Sequence, residues 1–156
     1  MQISLSLMLP RDEQTIPVTR HIVSHALDEV GALDECKEDI AVAQTEACTN
    51  VVKHSGPGDE YEVRVDIDRE KCVIRVIDTG RGFDWQSLFH DGDTDTSAER
   101  GRGIQLMRAL VDDVRFLSKP ETGTIVHLEK ALSFSADSVV HRLAGAPAGP
   151  RASPDG

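Results

Sequence analysis

Glu46-Ala-Cys-Thr-Asn50-Val-Val-Lys53-His54, Asp78-Thr-Gly80-Arg-Gly82-Phe83 and Arg100-Gly101-Arg102-Gly103-Ile104-Gln-Leu-Met107 are the segments whose residue types and spacing suit chemistry. Glu46 and Asn50 stand four apart, so on a helix they share a face one turn apart. Asn offers a neutral oxygen to a hard cation such as Mg²⁺, which prefers oxygen ligands and bridges protein to phosphates. Glu46 is then placed to act as a general base towards a hydroxyl or water near a terminal phosphate. Glycine pairs are weak signals singly, because Gly-x-Gly is common in turns. Gly80 and Gly82 directly follow a predicted strand, however, and Gly101 and Gly103 open a predicted helix. At a helix start, glycines let backbone N–H groups come close to a phosphate, and the helix dipole favours the negative charge. Neither pair belongs to a Walker A loop or a dinucleotide fingerprint.

The elements that must position these residues follow from periodicity. Ile3, Leu5, Leu7 and Leu9 alternate up to Pro10 and predict a strand. A helix is expected from Thr15 or Ile16 to Val30, with Ile22, Val23, Ala26, Leu27 and Val30 inward, Arg20, His21, Ser24, His25 and Asp28 outward, and Gly31 as its stop. A second helix runs from Asp34 to His54, its apolar stripe formed by Ile40, Ala43, Ala47 and Val51, and breaks at Ser55-Gly-Pro-Gly58. Two strands follow, Tyr61 to Asp68 and Cys72 to Asp78. The second ends an apolar row, Cys72, Ile74 and Val76, with a carboxylate. There Asp78 can accept a hydrogen bond from an exocyclic amine, which suits adenine and not guanine, and Thr124, on a face with Val126 and Leu128, can complete the pocket. Residues 84–100 read as a surface loop, followed by a helix from Arg102 to Asp112, a strand at Val114–Leu117, a turn at 119–123 and a strand from Thr124 to Leu132. Residues 136–156 are expected to be a disordered tail beyond a domain spanning 1–135.

The chain has 156 residues, 17 Lys+Arg against 27 Asp+Glu, and a formal charge of −10. That excess argues against an electrostatic grip on nucleic acid or anionic lipid, which needs clustered cations. Any phosphate ligand here must be held by means other than massed cations, and backbone amides at a helix start can do so. Cys36, Cys48 and Cys72 form no CxxC pair and fit reduced thiols. No apolar run has the length of a membrane span, and the first residues lack the pattern of a signal peptide, so a cytoplasmic protein is expected.

Taken in order, Glu-x-x-x-Asn, Asp-x-Gly-x-Gly, Gly-x-Gly and Gly-Thr over residues 46–124 resemble the Bergerat-type ATP-binding fold shared by gyrase, histidine kinases, the heat-shock chaperone ATPases and MutL. The short format, with a strand and helix before the first box, is most similar to the bacterial anti-sigma factor serine kinases. The resemblance implies an α/β two-layer sandwich, with a mixed, largely antiparallel sheet covered on one face by helices. It implies that Asn50 coordinates Mg²⁺, that Glu46 is the catalytic base and that Lys53 and His54 extend the first box. Asp78 would bind the adenine amine, with Gly80 and Gly82 shaping the wall and Thr124 supporting it through a water. Residues 84–100 would be a lid, and Arg100, Gly101, Arg102, Gly103 and Ile104 would meet the phosphates of ATP. Such proteins grip a sigma factor and phosphorylate a serine or threonine on an anti-anti-sigma antagonist of the STAS type. Arg20 would be a partner contact, and a homodimer is implied.

Two departures stand out. Arg102 lies between the third-box glycines, with Ile104 where leucine is common, and the expected lid is strongly acidic. Asp91-x-Asp93-x-Asp95 hints at a calcium loop, but Thr96 stands where Gly is needed and Arg102 where Glu is needed. A non-catalytic, nucleotide-gated binding module and, less favoured, a histidine kinase catalytic domain remain alternatives at this point.

Overall fold

Every strand turns an apolar face to the helices, and its other face holds most of its charged residues; that alternation builds the architecture. The computed structural model describes residues 1–54, 60–78, 95–119 and 123–145. In chain order the elements are β1 (Gln2–Pro10), α1 (Thr15–Val30), α2 (Asp34–His54), β2 (Glu60–Asp68), β3 (Lys71–Asp78), α3 (Asp95–Leu110), β4 (Asp113–Lys119), β5 (Gly123–Ala131) and α4 (Val139–Gly145). The sheet order is β1-β2-β3-β5-β4, and every adjacent pair is antiparallel. The expected two-layer sandwich is present, but its sheet is wholly antiparallel among the described strands rather than mixed. Two helices separate β1 from β2, so the chain returns to the same end and reverses direction. β5 inserts between β3 and β4, which run the same way and would otherwise pair in parallel.

Register brings the apolar residues into rows. Leu5, Val65, Ile74, Leu128 and Val114 face one another across five strands, as do Leu7, Val63, Val76, Val126 and Phe116. These rows lie under the helices, where Val63, Val65, Val76 and Val126 are fully buried. α2 lays Ile40, Ala43, Ala47 and Val51 onto them. The small residues Ala43 and Ala47 let its backbone come close to the sheet.

α1 departs from its expected face. Ile16, Thr19, Val23, Leu27 and Val30 are buried, whereas Ile22 is 38% exposed. The Thr19 hydroxyl donates to Ile16 O at 2.8 Å, so a threonine enters the core with its polar atom satisfied and the helix turns Ile22 outward.

The open face of the sheet carries a polar ladder beside an apolar row of Ile77, Ile125 and Leu117. Arg75 Nε donates to His127 Nδ1 at 3.2 Å, His127 Nε2 lies 3.0 Å from Glu129 Oε1, and Arg115 Nε lies 2.8 Å from Asp113 Oδ2. Asp113, His127 and Glu129 come within 4.8 Å of one another, but the Arg75 bond fixes the imidazole proton on Nε2, facing Glu129. The hydrogen bond from His127, with Lys71 nearby, holds the Glu129 carboxyl below the usual carboxylate range. The cluster is a satisfied ion-pair ladder.

The C-terminal expectation is corrected. Residues 136–145 are ordered into a turn and α4, and Ser138 and Val140 are buried. Ser138 caps α4, its Oγ accepting from His141 N at 3.2 Å. The segment closes over Gly31, the left-handed cap of α1 at φ 82°, where a Cβ would stand 2.4 Å from Ser138 Cβ. Gly31→Ala therefore meets two penalties, the αL conformation and a clash with Ser138. It is expected to cost about 2–4 kcal/mol, measured by denaturant unfolding. Residues 146–156 lie outside the described residues.

Candidate functional site

The site lies at one end of the sheet, under α2 and beside α3. At that end the register row reads Leu9, Tyr61, Asp78 and Thr124, so Asp78 and Thr124 are direct cross-strand partners. Tyr61, Asp78 and Thr124 are all fully buried. Tyr61 keeps its hydroxyl 2.7 Å from Thr15 Oγ1 at the start of α1, and burial pushes its phenol up to about 12, so it is neutral at physiological pH. Sequence reading thus placed Asp78 and Thr124 correctly on one apolar face.

It missed Arg11. The Arg11 side chain is 8% exposed and Nη1 lies 3.9 Å from Asp78 Oδ1, while Nη2 donates to Val51 O at 3.0 Å. A buried carboxylate needs a cation or a set of donors, and the chain that leaves β1 supplies one. The only signal available in the sequence was a charged residue directly after the strand's terminal proline.

Glu46 and Asn50 share a face of α2, as their spacing predicts, and that face meets α3. The opposing residue is Gly103: a Cβ there would lie 2.7 Å from Glu46 Oε2 and 3.9 Å from Asn50 Nδ2. Gly103 is buried, and its missing side chain is the space that the Glu46 carboxylate fills. Asn50 is 5% exposed, and its Nδ2 has no hydrogen-bond partner among the described residues. Ile104, next along α3, is 1% exposed and belongs to the core. Among the described residues nothing lies within 4 Å of where a Gly101 Cβ would stand, and Arg102 is exposed.

The third box sits differently from its expectation. α3 begins at Asp95, so residues 95–100 are helical rather than loop, and Gly101 and Gly103 stand beyond the first turn. Asp95 and Glu99 are residue types that suit the positive end of a helix and Ala98 one that propagates it, a start signal that the glycine pair obscured. The amides of Gly101 and Gly103 are past the four that a helix leaves unpaired. The steric role of Gly103 against Glu46 is what the geometry displays.

Arg20 emerges from α1 onto the outside of α2, where its Nη1 donates to Thr45 Oγ1 at 3.2 Å. A groove of about 210 Å³ is lined there by Arg20, Ala41, Val42, Thr45 and Glu46. Glu46 therefore borders both Gly103 and the Arg20 groove. Lys53 is exposed and pairs with Glu13 at 3.4 Å. His54 closes α2, and Arg100 lies within α3. Gly80, Gly82 and the lid residues 84–94 lie outside the described residues, as do the break at 55–59 and the turn at 120–122. Burial pushes the Cys48 and Cys72 thiols up to about 12, with Asp66 and Asp68 adding to the effect at Cys72. Both are protonated thiols and supply no nucleophile.

An antiparallel sheet roofed by helices, with an acid and an amide on α2 facing a glycine of α3 and a buried aspartate at the adjoining strand end, defines a class of nucleotide-binding domain. Residues 9–130 match the family described as the histidine kinase-like ATPase domain, and the chain belongs to that family. Among its relatives, it is similar to the serine-protein kinase RsbW of Bacillus subtilis (strain 168), 27% identical over 139 residues that cover 83% of this chain and 86% of that protein. It is also similar to the serine-protein kinase RsbW of Listeria monocytogenes serotype 4b (strain F2365), 30% identical over 125 residues, 74% of this chain and 80% of that one. The fold matches the crystal structure of the RsbU and RsbW domains of Rv1364c from Mycobacterium tuberculosis with a TM-score of 0.66 at 21% identity. That match covers 85% of this chain and 33% of the other, so this chain spans about a third of the length of that two-domain chain.

Proposed function

We propose that this chain is an ATP-dependent serine/threonine protein kinase and anti-sigma factor, which sequesters a sigma factor and phosphorylates an anti-anti-sigma antagonist of the STAS type. The observation that supports this reading best is the double exposure of Glu46, which packs against Gly103 on one side and borders the Arg20 groove on the other. A base in that position can take the proton of a hydroxyl presented by a protein seated in the groove.

Asp78 accepts the adenine amine and Thr124 supports it, with Gly80 and Gly82 forming the adjoining wall. Asn50 is buried one helical turn from Glu46, and its amide oxygen is the neutral, hard donor that would hold Mg²⁺. When bound, that cation would neutralise charge on the phosphates. Gly101, Arg102 and Gly103 belong to the α3 face assigned to the phosphates, contributing close approach rather than free amides, with Ile104 anchoring that face to the core, and Lys53 and His54 extend the α2 end. Arg20 contacts the partner. A homodimer fits the position of β1 at the sheet edge, where Met8 is 59% exposed. Among the described residues no helix is long and apolar enough to cross a membrane. A sigma factor as partner places the protein in the cytoplasm.

Gly103→Ala tests the Glu46 arrangement. The new methyl meets the flexible end of a carboxylate, so stability should hold or rise by up to about 1 kcal/mol from helix propensity. Phosphoryl transfer should fall at least roughly tenfold, because a misplaced base loses reach. Gly101→Ala, with no described residue within 4 Å of the new methyl, is the comparison for stability.

Affinity capture from native cytosol with and without magnesium-ATP, followed by phosphosite mapping, tests the proposal as a whole. A retained sigma factor and a small antagonist phosphorylated on serine or threonine are expected. Recovery of neither contradicts the partner assignment, and tight ATP binding with no transfer selects a non-catalytic binding module.

A further inference from the structure

Arg11 lies outside all three sequence boxes, yet it touches two of the elements that they build. Its Nη1 is 3.9 Å from Asp78 Oδ1 at the end of β3, and its Nη2 donates to Val51 O, one residue past Asn50 on α2. Val51 stands in the last turn of α2, so the guanidinium meets the helix at the negative end of its dipole. A guanidinium suits this place because it is always charged, weakly hydrated, and presents donors in two directions from one plane.

We propose that Arg11 is a positioning residue for the nucleotide, setting its charge behind the Asp78 carboxylate and tying α2 to the end of β3. This rests on the assignment of Asp78 to adenine. A buried ion pair is weak evidence for stability, since well-packed apolar residues often serve as well. The charge has a use here. A charged acceptor takes the hydrogen bond of the adenine amine more strongly than a neutral one, and the guanidinium seats that acceptor at the strand end. The other polar groups in the Asp78 row are the Tyr61 phenol, which is neutral, and the Thr124 hydroxyl. Among these described neighbours, Arg11 supplies the positive charge. It acts from behind the aspartate and is not itself a contact to the base.

The test is a double-mutant cycle on magnesium-ADP affinity, measured by calorimetry with the full chain. Arg11→Met is expected to weaken binding roughly tenfold or more in the parent, and less than about threefold in an Asp78→Asn background. Arg11→Lys, which keeps the charge, is expected to recover most of the loss. If Arg11→Met does not fold, Arg11→Lys and Arg11→Gln complete the same cycle, with Gln the weaker binder. Equal losses in both backgrounds, or no loss in either, overturn the role of Arg11 while leaving the adenine assignment standing if Asp78→Asn alone weakens binding. Parent-like affinity in Asp78→Asn overturns both.

Discussion

Glu46→Gln is expected to bind magnesium-ADP within a few fold of the parent while phosphoryl transfer to the partner falls by about 10²–10⁴. The substitution is nearly isosteric. Its amide still fits the space opposite Gly103, where a Cβ would approach Oε2 to 2.7 Å, so the contact between α2 and α3 persists. What disappears is the capacity to take a proton. Asn50, one turn away on α2, is left untouched. Loss of nucleotide binding together with transfer would instead assign Glu46 a binding role. Calorimetry with ADP, set beside a transfer assay on the same preparation, separates these outcomes.

Asp78→Asn is expected to weaken ADP binding by about a hundredfold, roughly 2.7 kcal/mol, and to destabilise the fold as well. Two physical losses act together. The asparagine presents either a weaker, neutral acceptor or an N–H₂ that faces the adenine amine. It also removes one charge from the buried Arg11 pair, whose arginine side chain is 8% exposed, and breaking such a pair costs about 3 kcal/mol. Equilibrium unfolding measures the second loss without nucleotide. A variant with lower stability but unchanged ADP affinity would place the base elsewhere.

Much of this fold was legible because its sheet has one wet face. Tyr61, Val63, Val65 and Ile67 alternate with Glu62, Arg64 and Asp66, and the pleat separates them as that pattern requires. Asp78 was legible as a carboxylate turned into the core for the same reason, since it ends an apolar row. The Glu46 and Asn50 pair followed from helical period alone. Other features were hidden by physics that a linear pattern does not carry. Thr19 enters the core because its hydroxyl finds the Ile16 carbonyl, displacing Ile22 to the surface. α4 forms because Ser138 caps it over a glycine that has no Cβ to obstruct it. The start of α3 was masked by a glycine pair that reads as a helix opening. Arg11 was invisible because its partners are far along the chain and only the sheet register and the docking of α2 bring them to it.

The most direct measurement is phosphoamino-acid analysis after incubating the parent chain and Glu46→Gln with γ-labelled ATP, Mg²⁺ and the captured antagonist. The parent should place acid-stable label on a serine or threonine of the antagonist, and Glu46→Gln should place almost none. Acid-labile label on histidine, or undiminished transfer by Glu46→Gln, would contradict the assignment of this chain as a serine/threonine kinase with Glu46 as its base.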